Sequence, residues 1–190
     1  MAKNRVAERN LFEVAMSQQG YFTYLQARKA GYARSAAYFH ARAGNWLREK
    51  HGIYRLANFP DAERPDLVMW SLWSADRKGN VQAVYSHQTA LSIYDITDAN
   101  PAKLHMTVPA GFRKLHPPPK GIVLHRGALK DSEIRRERGY LVTSPEKTLR
   151  DMFDAWLMDA GEVRSAAREA VAKGLMTPDE ADRIARLKHG

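Results

Sequence analysis

Residues 31–57 read GYARSAAYFHARAGNWLREKHGIYRLA. A glycine opens the stretch, a helix-compatible run from Arg34 to Ala43 follows, Gly44 closes it, and two short apolar-aromatic runs meet at Lys50-His51-Gly52. Steps of four residues drift by only about 40° around a helix, so Arg34, Tyr38 and Arg42 project as one ridge, flanked by Ser35. Ala36, Ala37, Phe39 and Ala43 then form a small or apolar side that can lie on other helices. Ala33 is a poor helix cap, which leaves Ser35 as a cap and the helix start open by a turn. Trp46–Glu49 and Ile53–Leu56 are strand-like, and the glycine between them suits a tight hairpin.

Upstream, Leu11, Val14 and Ala15 repeat at helical spacing inside a helix expected from Val6 to about Gln18, with Gly20 as its stop. Thr23 and Gln26 have the spacing of a capping box, which starts a short helix over Tyr24–Ala30. Gly31 permits a sharp turn into the next helix. Three helices followed by a hairpin make a winged helix-turn-helix, whose second turn-flanking helix reads bases in the major groove. Arg34, near the helix start, suits bidentate contact to a guanine; Tyr38 suits a phosphate or a thymine methyl, and Arg42 a backbone clamp. Ser35 flanks them, and Arg48, Lys50 and His51 place donors on the wing.

Charge agrees with that reading. The 190 residues carry 30 Lys/Arg against 21 Asp/Glu, a net +9. Residues 1–59 hold ten of the cations and only three acids, so +7 of the excess lies in the first third. A cationic surface of this kind suits a polyanionic partner. There is no cysteine, which excludes disulfides, thiolate nucleophiles and Cys-based zinc sites. No apolar run reaches the roughly 20 residues of a membrane span, and the charged start has no apolar stretch behind it. A soluble cytoplasmic protein is expected, with no membrane partner.

Asn58–Asp66, with two prolines and four charges, suits a linker, so the domains are expected at 1–59 and 60–190. The second reads as small α+β: a helix at Asp66–Ala75, a helix capped by Ser86 and running through Thr89 to Tyr94, strands at Lys103–Pro109, Gly121–Arg126 and Tyr140–Thr143, and a loop at His116–Lys120. A helical layer over about 145–190 follows Ser144-Pro145, a cap with proline at the first helical position. Leu149, Met152, Phe153, Trp156 and Leu157 form one apolar face there, and Thr177–Glu180 is another capping box. The fold class expected is therefore α+β, a winged helix-turn-helix domain followed by a small α+β domain.

Little supports an enzyme. His87, His105 and His125 match no compact metal signature and read as structural histidines with satisfied hydrogen bonds. Asp151 and Asp154 flank an apolar face and read as an exposed edge. Ser86-His87 lacks a glycine elbow, and adjacent helical residues point about 100° apart. No phosphate-cradling glycine loop occurs. Neither a cofactor nor a metal site is expected.

The run from Gly20 to Pro60, followed by LVMWSLWS (67–74), AVYSHQTALSIYDITDANPAKLHMTVP (83–109) and LVTSPEKTLRD (141–151), resembles the AbiEi-type antitoxin and transcriptional-regulator family of type IV, abortive-infection toxin–antitoxin systems. The resemblance covers roughly residues 8–155. It implies a winged helix-turn-helix that binds inverted repeats in its own promoter and represses the operon. It further implies a second domain that helps counteract a nucleotidyltransferase-like toxin without a stable complex. On the matching segments the DNA-facing role falls on Arg34, Ser35, Tyr38 and Arg42, with Lys50 and His51 in the wing. The alternative is a stand-alone regulator whose second domain senses a ligand or protein, with no toxin.

Overall fold

The computed structural model describes residues 2–115 and 117–188. The chain is a mixed α+β protein with two separate sheets and divides into two compact units. Unit one comprises residues 1–82 with 136–140; unit two comprises 83–135 with 141–190. None of the helices among the described residues is long and apolar enough to cross a membrane.

Unit one opens with helix α1 (Ala2–Ser17), which starts a turn before the expected Val6. Strand β1 (Tyr21–Thr23) follows, an element too short to show any alternation in the sequence. Thr23 then caps α2 (Tyr24–Ala30): its Oγ1 accepts from Gln26 N at 3.1 Å, and Gln26 Oε1 accepts from Thr23 N at 2.8 Å. Two backbone donors with no partner inside the helix are thereby satisfied. Gly31 ends α2 at φ +113°, a conformation L side chains rarely adopt. Helix α3 (Ala36–Arg42) comes next, then strands β2 (Trp46–Lys50) and β3 (Ile53–Leu56). The sheet order is β1-β3-β2, all antiparallel, with Phe22 opposite Tyr54, Trp46 opposite Leu56, and an irregularity between Arg48 and Lys50.

Aromatic packing fixes this unit. Trp46, 3 % exposed, meets Phe22 edge-on at 4.9 Å and Tyr32 edge-on at 5.0 Å, while the His40 ring stacks on it at 4.6 Å. Leu11, Ala15, Ala27 and Ala37 complete the core. A second cluster joins Tyr21 and Ile53 to Val68 and Leu72 of helix α4 (Pro65–Trp73). The compact unit therefore runs on to residue 82, whereas the sequence reading draws its domain boundary after residue 59; the 58–64 stretch is irregular, and Arg55 pairs with Asp61 there at 3.3 Å.

Strands β4 (Val84–Tyr85), β5 (Leu104–Val108), β6 (Ile122–Arg126), β7 (Ile134–Glu137) and β8 (Tyr140–Thr143) form the second sheet, of order β6-β5-β4-β8-β7; apart from residues 136–140, which count with unit one, these strands and helix α5 (His87–Tyr94) belong to unit two. β5 and β6 are parallel, with Thr107 opposite His125. Within the loop expected at 116–120, residues 117–119 are irregular, and His116 lies outside the described residues. Helices α6 (Pro145–Asp154), α7 (Ala160–Ala172) and α8 (Pro178–Ala185) follow, with Ser144, Asp159 and Thr177 as side-chain caps. The apolar face expected on α6 is shorter than its spacing suggests. Leu149, Met152 and Phe153 are buried, but the helix ends at Asp154 and Trp156 takes φ +57°, leaving Trp156 and Leu157 exposed.

Candidate nucleic-acid interface

Ser35 sits at the N-cap of α3 with helical backbone angles and no side-chain cap bond. Its carbonyl accepts from Tyr38 N at 3.1 Å and Phe39 N at 3.2 Å, so the helix proper begins at Ala36. Arg34 therefore belongs to the turn before α3, where its carbonyl accepts from Tyr24 Oη at 3.3 Å and its side chain is exposed. Ser35, Tyr38 and Arg42 are exposed, and Arg42 Nη1 donates to Tyr38 Oη at 3.3 Å. The phenol is thereby held beside a guanidinium.

The buried side of α3 differs from the expected one. Ala37 is buried and Ala36, His40 and Ala41 are half-buried, whereas Phe39 is 61 % exposed and Ala43 is exposed. His40 displaces Phe39 from the inner face because its ring stacks on Trp46 and meets Tyr32 edge-on at 5.3 Å. Phe39 thus joins Ser35, Tyr38 and Arg42 on the outer ridge, its ring edge-on to Tyr38 at 5.6 Å.

On the hairpin, Arg48, Lys50 and His51 are all exposed. Gly52 turns the chain at φ +73°, and its carbonyl accepts from Tyr24 N at 2.8 Å, tying the hairpin tip to the start of α2. Arg48 Nη2 lies 3.3 Å from His51 Nδ1, and Lys50 Nζ rests 4.7 Å from the centroid of the Trp70 ring. The neighbouring Arg55 is occupied by Glu49 and Asp61, at 3.2 and 3.3 Å, and is not an available cation. The local surface thus offers guanidinium and ammonium donors at Arg34, Arg42, Arg48 and Lys50, the groups that neutralise phosphates and reach guanine edges.

The three histidines read as separate structural residues come together in unit two. The His87 and His125 rings stack at 3.7 Å, and His105 Nδ1 lies 3.0 Å from His125 Nε2. His87 has φ +52°, outside the helical region, and that brings its Nδ1 within 3.0 Å of Ser86 Oγ. The two side chains of Ser86-His87 therefore touch, contrary to the expected divergence. Ser86 is fully buried and accepts from Thr107 Oγ1 at 2.9 Å, so its hydroxyl is not presented to solvent. Burial first, then His125, His105 and Lys147, lower the His87 pKa from 6.5 to about 4; burial likewise lowers His105 and His125. Burial raises Asp151, which is hydrogen-bonded to Lys147, so it is not the exposed edge its sequence suggests. No group of three or more His, Cys, Asp or Glu among the described residues is placed to hold a metal ion.

No curated protein sequence matches the chain. Among solved structures, the RV2827C protein from Mycobacterium tuberculosis aligns at 12 % identity over 98 % of this chain and 82 % of its own, with a TM-score of 0.43. Residues 9–57, which hold most of α1 together with β1, α2, α3 and the β2–β3 hairpin, match the family model of the AbiEi antitoxin transcriptional regulators.

Proposed function

We propose that unit one contains a winged helix-turn-helix that binds double-stranded DNA at inverted repeats in its own promoter and represses transcription. On this reading the chain is the antitoxin of a type IV toxin–antitoxin operon, and its second unit helps counteract a nucleotidyltransferase-like toxin without a stable complex. The observation that carries the DNA reading is the outer side of α3. A short helix seated on a buried Trp46 core leaves its polar and cationic residues in solvent, next in the chain to a hairpin bearing further cations. The family match over residues 9–57 supports the regulator role.

In this scheme Arg34 reads a base edge with Ser35 and Tyr38 beside it, and Arg42, Arg48, Lys50 and His51 grip phosphates. Arg34→Ala should cost about 1–3 kcal/mol on the preferred duplex and relax preference at one position, whereas Lys50→Ala should weaken all duplexes alike and flatten the salt slope by about one. Equal losses on preferred and random DNA for both variants contradict the assignment. Restored growth when this chain is co-expressed with a nucleotidyltransferase-like toxin from the adjoining reading frame tests the antitoxin role.

A second reading, a regulator that answers to a ligand and has no toxin, draws on a cavity of about 430 Å³ lined by Glu8, Phe12, Tyr32, His40, Trp46 and Phe59 among others. It lies behind α3 in unit one, not in the second domain where a sensor is expected from sequence. A shift in DNA affinity on adding a small molecule that quenches Trp46 fluorescence favours this reading over the first.

A further inference from the structure

Phe39 is the one large apolar side chain among the residues of the outer ridge of α3. It is 61 % exposed, and its neighbours on the ridge are Ser35, Tyr38 and Arg42. Tyr38, itself 64 % exposed, meets it edge-on at 5.6 Å and is in turn held through its hydroxyl by Arg42 at 3.3 Å. Exposing a phenylalanine forfeits the stabilisation its burial would give, and here a histidine occupies the inner position instead. In the major groove the C5 methyl of thymine is the one apolar feature on a base edge, and phenylalanine is a side chain suited to it.

Building on the DNA-binding reading of α3, we infer that Phe39, steadied by Tyr38, reads the 5-methyl group of thymine and makes thymine the preferred base at one or more positions of the recognised site. The guanidinium groups then supply affinity and guanine contact, while Phe39 discriminates among pyrimidines by an apolar contact that no charged neighbour can replace.

Replacing thymine by deoxyuridine removes only that methyl and leaves base pairing and the O4 acceptor intact. The test uses the full chain and duplexes enriched on it from a random pool, with each thymine changed to deoxyuridine in turn and binding followed by fluorescence anisotropy. At the contacted position the wild type should lose about fourfold in affinity, the equivalent of one buried methyl at about 0.8 kcal/mol. Phe39→Ala, a change at an exposed position whose folding is checked by circular dichroism, should bind the thymine and uracil duplexes equally, and Phe39→Leu should retain part of the discrimination. Tight binding that is indifferent to uracil at every position overturns the inference while leaving DNA binding intact, as does unchanged discrimination in Phe39→Ala. Failure to enrich any duplex removes the DNA reading itself.

Discussion

The Trp46 ring decides which side of α3 faces the core: His40 stacks on it at 4.6 Å, and Phe39 is left 61 % exposed. The exposure of Arg34, Tyr38 and Arg42 follows from charge and helical spacing, but Phe39 does not lie on the inner side of α3, although hydrophobicity ranks phenylalanine above histidine. The inner position goes to His40 through ring stacking on Trp46, a partner six residues away across a turn. His87, His105 and His125 were visible as residues but not as a cluster, because their meeting depends on the parallel register that sets Thr107 opposite His125. That cluster yields a pH prediction. His87 binds its proton less readily in the folded chain, at about 4 against an ordinary 6.5, so the unfolded state takes up protons first as pH falls. The contribution of neutral His87 to stability is complete above about pH 6.5 and is lost progressively down to about pH 4. Thermal melting across this range should show the decline. His87→Asn, which tolerates the positive φ and does not titrate, should make it shallower, His105 and His125 keeping part of the decline; an unchanged slope would show that the decline arises elsewhere.

At the scale of elements, the sequence signals that survived were the ones with local chemistry. Thr23/Gln26, Ser144-Pro145 and Thr177/Glu180 announced their helices because cap and partner lie within one turn. Strands β1, β4 and β7 were not legible, being two to four residues long and defined by their pairing in the sheets. The end of α6 at Asp154 is hidden for a related reason: Trp156 continues the apolar period, yet the backbone turns left-handed there. Two substitutions follow. Thr23→Ala removes the side-chain acceptor from the start of α2 and should cost about 1 kcal/mol in a urea titration. Trp46→Ala empties the centre of the aromatic cluster under α3 and should cost about 3–5 kcal/mol. If the Trp46 variant melted like the wild type, the buried cluster would not be what seats α3.

For the whole chain, composition told more about the partner than about the architecture. A net +9 with +7 in residues 1–59 points to a polyanion, and that charge lies in the same segment as the family match at 9–57. What composition left open was the extent of the first unit, because the packing of α4 against Tyr21 and Ile53 depends on apolar contacts that a proline-rich, charged stretch conceals. If residues 31–57 read DNA, the affinity of the full chain for its enriched duplex and for random DNA, followed between about 50 and about 200 mM salt, will show it. With Arg42, Arg48 and Lys50 each neutralising a phosphate at about 0.9 per contact, log K should fall against log salt with a slope near about −3 per chain. The enriched duplex should stay tighter than random DNA throughout. No binding at the lowest salt, or equal affinity for both duplexes across the series, would mean that residues 31–57 do not form a DNA-reading surface.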